Sequence, residues 1–204
     1  MEKTTYGVSR VESTPEEPAG REGDWLLQRV IQARTLMVSG TIADNTAREV
    51  TTQALLMQEE DAEAPITVII NSPGGGADAG FAVFDLLRFI KPPVRTICTG
   101  LCASAAILIF LAAERSARFA LPNTRFMLHQ PSTLAMGPAT DIAITAHEIR
   151  RLMDRYNSIV AEETKRTLDQ VNEDVDRDFW LSAEEALKYK LVGKVITSFE
   201  EVES

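Results

Sequence analysis

From Trp25 onward, short β-branched runs alternate with longer stretches whose apolar residues recur at helical spacing. Thr35 to Ser39 predicts a short strand closed by Gly40, and Asn45 to Glu60 a helix with Ala54, Leu55 and Met57 among its apolar positions. Ile66 to Ile70 is a β-branched run that meets Ser72-Pro-Gly, the signature of a buried strand. Phe81, Phe84, Leu87 and Phe89 fall at helical spacing between Ala77 and Ile90, and Lys91-Pro-Pro93 ends that helix. Val94 to Cys98 is the next strand. The run from Ser104 to Ala113 is apolar nearly all round, which predicts a central helix. Arg125 to His129 is a strand stopped near Pro131. A long helix then runs from Asp141 to about Lys165, with a stripe of Ile142, Ile149, Leu152, Met153, Tyr156 and Val160. Ser182 to Glu185 is a capping box that opens a last helix. Repeated strand–helix units predict an α/β fold with a mainly parallel sheet.

Residues 1–24 break this pattern. They are polar, with Ser13-Thr-Pro-Glu-Glu-Pro-Ala-Gly20 at their centre, and read as a flexible arm ahead of one domain over residues 25–204. The longest apolar run, Leu101 to Ala113, is shorter than the ~20 residues that span a bilayer. The N-terminus has no apolar signal-peptide core. A net charge of -9 argues against nucleic acid and anionic membranes as partners. Cys98 and Cys102 read as buried free thiols, which suits a reducing cytoplasm. No neighbouring His or Cys completes a metal-ligand set.

Four segments carry side chains suited to acyl chemistry. Ser104 stands at a helix start, where a serine taken alone is an N-cap. Small neighbours at Ala103, Ala105 and Ala106 leave room for another chain, and the helix N-terminus offers partial positive charge to an oxyanion. His129 ends a strand, the place where α/β sites gather, whereas His147 lies off the apolar stripe of the long helix. Asp174, Asp176 and Asp178 crowd one loop. Asp178 is the best partner for a histidine because Phe179-Trp-Leu181 would anchor its carboxylate against the core. Ser72-Pro-Gly-Gly-Gly76 is either a tight turn or a site for close backbone approach, and no Walker or dinucleotide pattern surrounds it.

Taken in order, Ile70-Asn-Ser-Pro-Gly-Gly75, Phe89-Ile-Lys-Pro92, Thr96-Ile-Cys98, Leu121-Pro-Asn123, Met127-Leu-His-Gln-Pro131, Ala139-Thr-Asp-Ile142 and Asp176-Arg-Asp178 resemble the proteolytic subunit family of the Clp (caseinolytic) protease, from about Trp25 to Ile196. The resemblance implies a crotonase-like fold and a serine endopeptidase with Ser104 as nucleophile, His129 as base and Asp178 as its partner. It implies an oxyanion hole from the N–H groups of Gly75 and Ala105. It places the long helix and the strand before it, about residues 130–165, as a handle joining two stacked seven-membered rings. Ser132, Thr133 and Leu134 would bind peptide by β-augmentation, and Asp176 and Arg177 would pair the rings. An ATP-driven AAA+ unfoldase would feed unfolded polypeptide through a pore gated by the arm. It would dock on an apolar pocket that includes Phe89 and Phe119, where Thr67 and Ile69 stand in place of common tyrosines. ATP would bind that partner, and this chain would carry no cofactor. The chain departs from the family in having Ala105-Ala106 for Met-Gly, Ser132 to Met136 for a glycine-rich segment, and Lys190 for a helix-ending glycine.

Two other readings stand beside this one. A non-catalytic subunit co-assembling with an active paralogue would typically lack a member of the catalytic set, and all three are present. Another crotonase-fold enzyme acting on acyl-CoA would not need the complete Ser–His–Asp set.

Overall fold

A computed structural model describes residues 28–131 and 136–203. The arm over residues 1–24, and Ser132, Thr133 and Leu134, lie outside the described residues. The elements follow in the order β1 (Thr35–Ile42), α1 (Asp44–Glu60), β2 (Ile66–Gly75), α2 (Ala77–Phe89), β3 (Val94–Ala103), α3 (Ala105–Leu111), β4 (Arg118–Ala120), β5 (Arg125–Leu128), α4 (Ala139–Thr164), α5 (Leu168–Asp174), β6 (Phe179–Ser182), α6 (Ala183–Lys188), β7 (Lys194–Val195) and α7 (Glu200–Glu203). Five strands lie side by side in the order β1-β2-β3-β4-β7, all parallel. β5 pairs parallel with β3, and β6 pairs antiparallel with β5.

The β-branched residues that predicted the strands alternate between two faces. Leu36, Val38, Val68, Ile70 and Cys98 point into the main core, which α1, α2 and α3 complete. Every residue of α3 is buried, which explains why that segment is apolar all round. Both cysteines are buried and free, as expected.

The strand β3 divides its partners. Thr96 to Cys98 pair with β4, and Leu101 to Ala103 pair with β5. Between the two halves the register with β2 slips, with Cys98 opposite Ile70 but Cys102 opposite Ser72. Gly100 takes φ 65° there, and the Leu101 N–H donates to Asn71 Oδ1 at 3.2 Å. A bulge of this kind bends its strand and lets the second half of β3 leave β4 for β5.

The glycine segment differs from a simple turn. Ser72 is buried, its Oγ donating to the Gly40 carbonyl at 2.6 Å and accepting from the Gly74 N–H at 3.0 Å. These bonds extend β2 through Asn71-Ser-Pro-Gly-Gly75. Three strands, β4, β6 and β7, are too short for alternation to show in the sequence. Helix α5 is a further departure from the sequence reading, because Asp174 is its last residue and not part of an acidic loop. A Thr167/Gln170 capping box opens that helix. Lys190 takes φ 70°, the left-handed conformation that favours glycine after a helix.

Arg118 is the largest fully buried side chain. Its guanidinium donates to the carbonyls of Ala113 at 2.8 Å and Leu111 at 3.2 Å, just past and at the end of α3. It also contacts the Glu163 carboxylate near the end of α4, and Arg88 of α2 reaches the same carboxylate at 2.7 Å. Burial lowers the Arg118 pKa, and Glu163 opposes that shift. One side chain of β4 thus ties the ends of two helices to the sheet. Glu163→Ala leaves a buried guanidinium without its counter-charge and should destabilise the fold by about 3 kcal/mol, read as a lower denaturation midpoint at unchanged slope. Arg118→Met, which removes charge and keeps volume, should cost less.

Candidate active site

Ser104 joins β3 to α3 at φ 55° and ψ -124°, a sparsely populated conformation for a residue with a side chain. Its side chain makes no capping bond to the helix, so the N-cap reading does not hold. The backbone is held from three sides. The Ser104 N–H donates to the Met127 carbonyl of β5 at 2.9 Å, and the Ser104 carbonyl accepts from the Ile107 N–H at 3.0 Å. Gly74 presses on the third side at φ 93°. A Cβ there would lie 2.6 Å from both the Ala103 carbonyl and Ser104 Cβ, so only glycine fits.

The same pairing brings in the histidine. β5 runs parallel to β3 with Met127 opposite Ala103, and His129 follows two residues later. Its Nε2 lies 2.8 Å from Ser104 Oγ. The antiparallel pairing of β6 sets Phe179 opposite Leu128, so the next step out sets Asp178 beside His129. Asp178 Oδ1 is 3.6 Å from His129 Nδ1, beyond direct hydrogen-bond length.

Asp178 differs from expectation in one respect. Its side chain is 63% exposed and not pressed on the core. β6 is an edge strand, so its side chains alternate between core and solvent. Leu181 is buried, whereas Trp180 turns outward with Arg125 over its ring at 5.2 Å. The segment before Asp178 is braced instead at Asp174, which accepts from Tyr189 Oη at 2.7 Å and pairs with Arg166 at 3.3 Å. Burial, reinforced by Asp174, raises the Tyr189 pKa and keeps its proton on that bond.

A cavity of about 520 Å³ opens beside Ser104 and His129. Gly75 and Ala105, the two residues named for the oxyanion hole, line it together with Ser104. Its apolar wall includes Phe81, Leu108, Ile149, Leu152 and Tyr156. The last three belong to the stripe of the long helix, which the sequence shows as apolar without showing that it walls a cavity. Tyr156 bonds to the serine itself, its hydroxyl donating to the Ser104 carbonyl at 3.4 Å. Burial raises its pKa, so the hydroxyl stays a donor. The N-terminal part of the stripe behaves differently, with Ile142 exposed. Ala105 packs tightly under Gly80, where a Cβ would come within 3.1 Å of the alanine Cβ.

A second opening of about 600 Å³ lies on the other side of His129 and is bordered by Gln130, Asp176, Arg177 and Asp178. His147 is exposed, with Nδ1 3.6 Å from Glu148 of its own helix, a residue that borders the first cavity. Among the described residues no cluster of three or more His, Cys, Asp or Glu could hold a metal ion. Among them, too, no helix is long and apolar enough to cross a membrane. A hydroxyl on a strained corner, an imidazole nitrogen in contact with it, and a carboxylate behind the imidazole are the geometry of nucleophilic acyl transfer.

Comparison with known proteins agrees with this geometry. The profile of the Clp protease family matches residues 19–199. The chain is 42% identical over 187 residues to the ATP-dependent Clp protease proteolytic subunit 2 of Treponema denticola, covering 91% of this chain and 94% of that protein. It is 39% identical over 189 residues to the protein of the same name from Treponema pallidum, covering 92% and 95%. Among solved structures, a point mutant of ClpP1 from Listeria monocytogenes superposes with a TM-score of 0.80 at 42% identity, covering 87% of this chain and 99% of that one. The chain belongs to the Clp protease family and is a serine-type peptidase.

Proposed function

We propose that this chain is the proteolytic subunit of an ATP-dependent Clp-type protease, an endopeptidase that cuts unfolded polypeptides through an acyl-enzyme on Ser104. The observation that carries this reading is the 2.8 Å contact between Ser104 Oγ and His129 Nε2. With the proton of the neutral imidazole on Nδ1, Nε2 accepts from the serine hydroxyl. Attack on the scissile carbonyl moves that proton to Nε2, and Asp178 stabilises the imidazolium. The oxyanion forms against the N–H groups of Gly75 and Ala105, at the positive end of α3. Collapse expels the amine with the proton from Nε2, and water then cleaves the ester by the same route.

Assembly and supply follow the family. The chain forms two stacked seven-membered rings, with α4 as part of the handle between them and Asp176 and Arg177 at their contact. The exposure of both residues supports that role. Ser132, Thr133 and Leu134 lay substrate along the site. A AAA+ unfoldase consumes the ATP, and the peptidase chemistry itself draws on no cofactor. The protein works in the cytoplasm.

A fluorophosphonate probe should form one adduct, on Ser104, and none on Ser104→Ala. His129→Ala should lose about 10³-fold or more in turnover of a short fluorogenic peptide, while His147→Ala keeps most of it. An assembled protein that takes no label would overturn the reading. Gly74→Ala should lower kcat by about 10²-fold, because it displaces the serine corner by a fraction of an ångström to an ångström. Native mass spectrometry should find a fourteen-subunit species, on the expectation of two rings of seven, and a monomer as the sole species would contradict the barrel.

A further inference from the structure

On the sheet face away from the main core, one row of side chains crosses four strands. Met37 is opposite Ile69, Ile69 opposite Ile97, and Ile97 opposite Phe119. The two ends of this row have different surroundings. Met37 is 47% exposed, whereas Ile97 and Phe119 are buried in a small cluster of their own with Ile196 and Val202. The cover there comes from Ile196 and, farther along the chain, from Val202 of the C-terminal helix. That helix, α7, is one turn long and seats one aliphatic side chain, Val202, 5% exposed, on the row.

The helix is fastened at the surface of the protein. Glu201 accepts from the N–H groups of Thr197 at 2.8 Å and Ser198 at 3.2 Å and from the Thr197 hydroxyl at 3.1 Å, and sits 3.5 Å from Lys194 Nζ. These bonds are at the surface, where water competes for them. A single helical turn does not hold itself together, and Phe199 beside it is largely exposed. A short segment with a larger aliphatic side chain would fill the place of Val202. It would also reach toward half-buried Ile69 and exposed Met37, apolar surface that Val202 does not cover.

We propose that Glu200–Glu203 is a displaceable strap, seated in cis on a docking surface whose external occupant is a short peptide segment of a partner protein bearing an aliphatic side chain. The inference rests on the reading that a partner unfoldase docks on this chain. It adds that docking competes with the chain's own C-terminus, so that the partner meets a surface already partly occupied.

The test uses a fluorescein-labelled Gly-Ser-Ile-Leu-Gly-Ser peptide titrated by anisotropy into the full chain, a chain ending at Ser198, and Val202→Asp. Affinity should rise about tenfold in both altered chains, the factor lost when a competent surface is open about one-tenth of the time. The free hexapeptide Phe-Glu-Glu-Val-Glu-Ser should compete for the shortened chain, and its Val-to-Asp version should not. Basal hydrolysis of a short fluorogenic substrate should be unchanged in Val202→Asp, which checks that the fold and the serine site survive. Equal, measurable affinity in all three chains overturns the strap and leaves the docking surface standing. Binding to none of the three overturns the docking surface, and the strap with it.

Discussion

The geometry of the site depends on one backbone corner. Ser104 occupies a conformation that costs on the order of 1–3 kcal/mol, and it persists because its neighbours leave it no other place. The Met127 carbonyl holds its N–H, and Gly74 closes the space behind it. The bond to Met127 belongs to the same ladder that carries His129 to the serine. Strain at the serine and proximity of the histidine are therefore two consequences of one strand pairing.

That pairing needs β3 to leave β4 partway along its length. The bulge around Gly100 turns the strand, and Asn71 holds the bulge from β2. Ser72, one residue on, props the glycine segment that faces Ser104. Below the corner, Arg118 holds the far end of α3 and the base of α4 together through carbonyls and Glu163. Tyr156 then joins α4 to the serine carbonyl. The long helix is thus fastened to the site at its base and along one wall, while its N-terminal part stands exposed.

Much of this was legible in the chain. Long periodic segments announced α1, α2 and α4, and β-branched runs announced β1 to β3, because each buries one regular face. The all-round apolar run around Ile107 to Leu111 identified the central helix. Ser104, His129 and Asp178 were legible as candidates through their places at element ends. What escaped was whatever depends on one residue meeting a distant one. Strands of two to four residues such as β4, β6 and β7 show no period. Arg118 carries no local sign of burial, since its counter-charge is far along the chain at Glu163. Trp180 suggested an inward anchor for Asp178, but alternation on an edge strand sends Trp180 out and Leu181 in.

By itself the sequence determined the α/β class, the order of the main elements and the residue types available for acyl transfer. These follow from local periodicity, turn chemistry and the inventory of side chains. The tertiary structure alone decided that Oγ and Nε2 touch, that the carboxylate stays in solvent, and that the helix stripe walls a cavity. Contacts between residues tens of positions apart are set by strand register and by the bulge that redirects β3. Register is a property of paired strands, and no single segment of the chain contains it.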